Sequence, residues 1–416
     1  MHHFDYIDGE MTCEGRRVAN IAEQVGTPFY LYSRATLERH FRVFDSAFDA
    51  VPHLTAFAVK ACSNLAVLSL LAKHGAGADI VSGGELFRAL KAGIPAEKIV
   101  FSGVGKIGRE IAEALDAGIL MFHVESAPEL DLINQVAGDK GTVARVALRV
   151  NPDVDPKTHP YISTGLKENK FGLPRKGILE AFKAADALPH VQVCGVHQHI
   201  GSQITQIPPF VEAVEHAADL IGRLRQAGIP ISHLDIGGGI GIPYDETLPP
   251  SPAELGTAIV PTLQGLDVTI ITEPGRVIAG NAGIFVTRVL RVKESGEKTF
   301  VIVDGAMNDL MRPALYDAYH EIRPVRETDA APVVADVVGP ICESGDFLAR
   351  NRKIRAAGQG DLLAVMSAGA YGFTMASTYN SRPRVPEVLV DGDEIHIIRE
   401  RETYDDLIRG ERVPWT

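Results

Sequence analysis

The residue types with the most chemistry in this chain are a lysine closing an apolar run, two histidines two positions apart, a triple glycine and a Glu-Pro-Gly-Arg sequence. Lys60 ends AFAVK at 56–60. In an extended strand Ala56, Ala58 and Lys60 share a face, and the two alanines leave room beneath the amine. Such a lysine either reaches solvent at a rim or is a partly desolvated amine, nucleophilic enough for Schiff-base chemistry. His197 and His199 in GVHQHIGSQ share a strand face. They suit a zinc pair, satisfied core histidines, or one imidazole pressed flat against a ring, with Gly201 allowing close approach and Ser202 offering a hydroxyl. Neither HExxH nor a cysteine cluster accompanies them, so no metal is expected. DIGGGIG at 235–241 lacks the spacing of a dinucleotide loop. Its glycines either reverse the chain or turn N–H groups toward a phosphate. EPGR at 273–276 adds a second backbone approach at Gly275 and a guanidinium at Arg276. Glu273 continues the face of Thr269 and Ile271, and a carboxylate facing inward there needs a cation or a protonated ring nitrogen. Together these groups match pyridoxal 5'-phosphate: Lys60 for the aldehyde, His199 for the ring face, Gly239 and Gly275 for the phosphate, Glu273 for the pyridine nitrogen.

Something must bring residues 60 to 276 to one place. Eight β-rich runs, at 56–60, 78–81, 99–102, 120–124, 145–150, 194–200, 233–236 and 269–273, alternate mostly with helix-length segments. Leu65, Leu68 and Ala72, and then Ile107, Ile111 and Leu115, recur at helical spacing, and Gly75, Gly93 and Gly118 stand where C-terminal glycines are expected. Eight strand–helix units predict an α/β fold, a (β/α)8 TIM-type barrel, with working residues at the carboxyl ends of its strands. Those ends carry Lys60, Asp79, Ser102, Glu125, Asn151, His199, Gly237 to Gly239, Glu273 and Arg276. After Gly280 the pattern changes to short alternating strands with turns such as DGDE, which predicts an all-β C-terminal domain. FDYIDGEMTCEG at the start reads as a hairpin of that domain. The expected division is a barrel at 30–279 and a discontinuous β domain at 1–29 and 280–416. LPPSPAEL at 248–255 reads as a helix-entry loop.

The chain has 416 residues, 45% hydrophobic and 23% charged, an ordinary globular composition. A formal net charge of −12 opposes a nonspecific hold on nucleic acid or anionic lipid. No apolar run approaches the ~18 residues of a spanning helix. No secretory leader is visible, and Cys13, Cys62, Cys194 and Cys342 are scattered, so a cytoplasmic location is expected.

In the tail, Arg312 and Tyr316 of MRPALY would share a face if that segment is helical. Arg312 is either a surface ion pair or a forked partner for a substrate's second carboxylate. Glu343 could hold a distal ammonium. Cys342 is either a small buried hydrophobe or a proton donor, and Tyr371 either a β-domain aromatic or a phosphate donor.

From about residue 20 to residue 400 the chain resembles the fold-type III pyridoxal-phosphate decarboxylases, and among them the diaminopimelate decarboxylases. The resemblance rests on FAVKACSN, DIVSGGEL, HIGSQ, DIGGGIG, EPGR, DGAMNDLMRPALYDAYH, GPICESGD and GAYGFTMASTYNSRPR, in that order. It implies a barrel followed by a β domain, in a head-to-tail homodimer whose sites are completed across the interface. It also implies cofactor contacts at Lys60, Asp79, His199, Ser202, Gly239, Glu273, Gly275, Arg276 and Tyr371. Substrate contacts fall on Arg276, Arg312, Tyr316, Glu343 and Tyr371, and the partner subunit's acid on Cys342. The implied reaction is decarboxylation of meso-2,6-diaminopimelate at its D centre to L-lysine, with Lys60, His199 and Cys342 as the catalytic set. A decarboxylase of ornithine, lysine or arginine shares this cofactor logic, and a metal-dependent barrel hydrolase built on His197 and His199 is the remaining alternative.

Overall fold

The computed structural model describes residues 2–154 and 170–415. The chain forms two compact units, one of Glu38–Pro243 and Thr247–Ile278, the other of Met1–Leu37, Tyr244–Glu246 and Ala279–Thr416.

In the first unit eight strands pair in parallel in chain order: His53–Ala58, Gly77–Ile80, Ile99–Phe101, Met121–Val124, Ala144–Asn151, Val191–His197, His233–Asp235 and Thr269–Thr272. The eighth pairs with the first and closes the barrel. Several crossover helices start on a polar cap: Asn64, Ser82, Ser126 and Ser251 each accept a backbone N–H of the first turn, a contact worth about 1 kcal/mol. Ser251 opens the helix Pro252–Gln264, so the proline-rich stretch is its entry loop. Gly118 ends Gly108–Ala117 at φ 72°, a left-handed cap that favours glycine. Ile107, expected on that helix's inner face, is instead its exposed N-cap, and Ile111 with Ala114 make the buried stripe.

The barrel interior is filled in layers. Ala56, Val100, Met121, Ala147, Cys194 and Ile271 form one apolar layer. Side chains alternate faces along a strand, so the residues two further on enter the same lumen. Ala58 keeps the first strand apolar, but on four others they are polar: Ser102, His123, Arg149 and Glu273. On the sixth strand the inward residues are Cys194 and His197, three apart. An irregularity in the pairing between Val193 and Gly195 supplies the extra residue. Gly195 is required at that point, because a Cβ would stand 2.9 Å from the Ala147 Cβ.

In the second unit the hairpin Phe4–Ile7 with Glu10–Cys13 places Phe4, Met11 and Cys13 in one core with Ile21, Leu31, Ile284 and Val388. The main sheet runs Phe347–Arg355, Pro332–Val338, Lys298–Val303, Gly283–Ser295, Phe29–Ser33, Glu387–Asp391, Glu394–Arg399, and Leu362–Val365 also pairs with Gly283–Ser295. Phe29–Ser33 pairs with Gly283–Ser295 and Glu387–Asp391, and the β unit runs on to Leu37. The strand is buried throughout, so it lacks the period-two alternation that marks a half-exposed strand in a sequence. No helix among the described residues is long and apolar enough to cross a membrane.

Candidate active site

The first barrel strand stops at Ala58, whose N–H donates to the Pro274 carbonyl at 3.0 Å. Lys60 therefore lies in the single 3-10 turn Val59–Ala61 rather than at a strand end. Its Nζ is 2.5 Å from Asp79 Oδ2. The Asp79 side chain is wholly buried, and burial, then the nearby Glu273, push its pKa up while Lys60 holds it down.

Glu273 follows the eighth strand and is 6% exposed. Its Oε1 accepts from Ser102 Oγ at 3.3 Å and lies 3.4 Å from both His123 Nδ1 and His197 Nε2. Burial alone would raise its pKa, but the two imidazoles outweigh it and hold the carboxyl well below its usual range. His123 and His197 stack, ring centres 4.0 Å apart and planes 22° from parallel. His123 Nε2 is 3.5 Å from Asp235 Oδ2. Burial, then Glu273, push Asp235 well above the carboxylate range. His123, His197, Asp235 and Glu273 keep one potential ligand atom each within 4.8 Å of one another. In near-parallel stacked imidazoles, however, the in-plane lone pairs run side by side instead of converging on one ion.

His199 lies beyond the end of its strand at His197, so the two histidines do not share a strand face. Its Nδ1 accepts from the Gly238 N–H at 3.2 Å, which fixes the ring against the glycine loop. Burial, then the Arg149 charge, lowers its pKa to about 3, so the ring is neutral. The loop itself is held tightly by neighbouring backbone. A Cβ on Gly238 would lie 2.1 Å from the Glu273 carbonyl, and one on Gly239, at φ 109°, 2.3 Å from the Gly201 carbonyl. Arg276 donates to Ser202 Oγ at 2.9 Å, tying EPGR to HIGSQ. Gly275 accepts from the Ile278 N–H through its carbonyl.

Two buried ion pairs brace this end of the barrel. Arg149 meets Glu125 at 2.6 Å, and Glu125 also accepts from the Gly172 N–H. Lys106 meets Glu129 at 2.6 Å and donates to the His123 carbonyl. Among these groups, His123, Asp235, Arg149, Lys106 and Glu129 escaped the reading of strand ends. The signal was parity, since His123 is two residues on from the inward Met121.

In the β unit, Arg312 opens the one-turn helix Arg312–Tyr316, which puts Arg312 and half-buried Tyr316 a single turn apart. Arg312 is no surface ion pair: it is buried, donates to the Tyr244 hydroxyl at 2.6 Å and lies 5.0 Å over that ring. Nor is Cys342 a buried hydrophobe; its thiol is free and exposed. Its N–H donates to Asn380 Oδ1, while exposed Glu343 accepts from the Tyr379 hydroxyl at 2.8 Å. Tyr371 is half-buried at φ 56°, a left-handed backbone conformation costing ~1–2 kcal/mol.

The donor set of the barrel is the one a phosphorylated pyridine aldehyde requires: an amine, a backbone-lined loop, a neutral imidazole and a buried carboxylate that stays ionised. Residues 34–280 match the family described as "Pyridoxal-dependent decarboxylase, pyridoxal binding domain". The chain is 52% identical to a Diaminopimelate decarboxylase of Pseudomonas aeruginosa, over 99% of both chains. It superposes on a crystal structure of diaminopimelate decarboxylase from Helicobacter pylori complexed with L-lysine, with TM-score 0.91 and 45% identity, covering 94% of this chain and 98% of that one. A diaminopimelate decarboxylase from M. jannaschii, in co-complex with L-lysine, gives TM-score 0.95 and 40% identity over 100% and 99%. The amine, the carboxylate and the glycine loop thus stand in a chain that belongs to the pyridoxal-dependent decarboxylases, in their diaminopimelate decarboxylase branch.

Proposed function

We propose that this enzyme decarboxylates meso-2,6-diaminopimelate to L-lysine and carbon dioxide, the closing reaction of lysine biosynthesis, with pyridoxal 5'-phosphate as cofactor. The observation that carries the reading is the pairing of an amine on a buried carboxylate, Lys60 on Asp79, with a second buried carboxylate, Glu273, held ionised by imidazoles at the same end of the barrel. Lys60 takes the aldehyde, His199 the ring face and Glu273 the ring nitrogen. Gly239 and Gly275, with Ser202, Arg276 and Tyr371, take the phosphate. When bound, the cofactor supplies the sink for the electron pair left on Cα as carbon dioxide departs.

The chain's own side chains do the rest. Arg276 and Arg312 bind carboxylates of the substrate, with Tyr316 and Tyr371 beside them, and Glu343 binds the distal ammonium. Two copies associate as a homodimer, and the partner's Cys342 delivers the proton to Cα. An exposed thiol supports that role, since a buried one could not reach a second subunit's substrate. The free cysteines fit the reducing cytoplasm.

The test measures carbon dioxide release from diaminopimelate, ornithine, lysine and arginine by the cofactor-loaded protein. Release from diaminopimelate at least ~100-fold faster than from the others is expected, about 2.7 kcal/mol of discrimination. Preference for one of the shorter or singly carboxylated substrates would replace this assignment.

A further inference from the structure

The reading of Glu273 as the partner of a ring nitrogen leaves the groups behind it unexplained, and this inference rests on that reading. Among the described residues, His123 Nε2 and Asp235 Oδ2 are both buried without a hydrogen-bond partner, and they face each other at 3.5 Å. Both side chains are almost wholly inaccessible, at 0% and 1%. Buried polar atoms of this kind are rarely left unmade, because each costs its full desolvation. One proton between them satisfies both. Either Asp235 carries it and donates to Nε2, or His123 carries it there and donates to an ionised Asp235.

The other face of the imidazole decides between the two. His123 Nδ1 is 2.9 Å from Ser102 Oγ and 3.4 Å from Glu273 Oε1, and Ser102 Oγ is itself 3.3 Å from Glu273 Oε1. With the ring proton on Nε2, Nδ1 is a bare acceptor. It would claim the Ser102 hydroxyl proton and turn a lone pair toward the carboxylate. With the ring proton on Nδ1, that N–H donates to Ser102 Oγ at 2.9 Å, which turns the Ser102 O–H toward Glu273 at 3.3 Å, and His197 Nε2 approaches the same oxygen at 3.4 Å. Asp235 Oδ1 accepts from the Gly237 N–H at 2.7 Å in either arrangement, leaving Oδ2 as the only oxygen for the proton. A single charge on Glu273 is also easier to bury than charges on two adjacent carboxylates.

We infer that Asp235 is a neutral, protonated acid that fixes the His123 tautomer, so that His123 and Ser102 act as positioning residues, the imidazole N–H orienting the Ser102 hydroxyl to donate to an ionised Glu273. The directions of the carboxyl shifts agree, Asp235 upward by burial and Glu273 downward. The charged and titratable groups around Glu273 are Asp235, His123, His197, His199, Arg149 and the Lys60–Asp79 pair. Of these only His123 places a nitrogen against both carboxylates.

Neutron diffraction from a perdeuterated crystal of the holoenzyme tests this directly. Deuterium is expected on Asp235 Oδ2 and His123 Nδ1 and absent from His123 Nε2; deuterium on Nε2 beside a bare Asp235 would overturn the inference. A second arm uses His123→Phe, which keeps a flat ring on His197 but removes both nitrogens. Loss of the donors raises the Glu273 pKa, so the acid limb of the kcat profile should move up by about one pH unit, a ~10-fold loss at a pH on that limb. An unmoved limb with unchanged kcat would refute the positioning role. Wild-type apoprotein titrated with pyridoxal phosphate separates the two readings. Failure to bind the cofactor defeats the proposed function, whereas the positions of the deuterium atoms decide the tautomer alone.

Discussion

Lys60 Nζ meets Asp79 Oδ2 at 2.5 Å, joining an amine whose side chain is 38% exposed to a carboxylate that solvent does not reach. The pairing holds a flexible four-carbon side chain on one spot while leaving its tip accessible to an incoming aldehyde. Replacing Lys60 with Ala is expected to lower turnover by at least ~10⁴-fold and to abolish borohydride-dependent labelling of the protein by pyridoxal phosphate. Retained labelling at another lysine would move the attachment point.

Asp79→Asn keeps the shape and removes the charge. Cofactor affinity should weaken and kcat/KM fall roughly 10–100-fold, the range of one lost charge-assisted contact. The dissociation constant of pyridoxal phosphate from the variant, measured by fluorescence, reports the binding part. A variant matching the wild type in both would leave the ion pair without function.

Glu273→Gln leaves an amide where imidazoles and a hydroxyl surround an anion. Turnover should drop about 10²–10³-fold, as for loss of a preorganised electrostatic partner, with substrate KM changed far less. A fall confined to KM would place Glu273 in substrate binding instead.

His199 carries a pH prediction. Its pKa is lowered from 6.5 to about 3, so the folded state resists a proton that the unfolded chain takes up. The stability it contributes is present above pH 6.5 and is lost as pH falls from there toward 3. Denaturant unfolding at pH 5 and pH 8 should therefore show the wild type losing more stability on acidification than His199→Asn, whose carbonyl can still accept from Gly238. The expected difference is on the order of 2 kcal/mol at ~1.4 kcal/mol per pKa unit. Equal losses would mean that the ring is protonated in the native protein.

Subunit mixing addresses Cys342. Lys60→Ala and Cys342→Ala should each be nearly inactive alone. If sites are completed by the partner subunit, random exchange between them regenerates one intact site per mixed dimer and about a quarter of wild-type activity. No recovery, with exchange verified by mass spectrometry, would place the thiol and the amine in service of the same subunit.

Much of the site was legible in the linear order of residues. Lys60, the HIGSQ histidine, the triple glycine and EPGR lie at or just past the ends of β-rich runs, and a parallel barrel gathers such ends on one face. Period and turn chemistry are local, so they survive in the sequence even with element ends misplaced by a residue or two, as at Lys60 and His199. What folding alone decided depends on distance in the chain. His123 and Asp235 read as ordinary strand residues until barrel closure sets them around Glu273. His197 faces the lumen only because of a one-residue irregularity at Gly195, which shifts alternation without leaving a pattern in residue types. Phe29–Ser33 joined the β unit through partners more than 250 residues away. Burial of Arg312 over Tyr244, and exposure of Cys342, likewise follow from which surfaces the chain covers. Residue type sets what a side chain can do; the neighbours that remove water from it determine its charge and its reach.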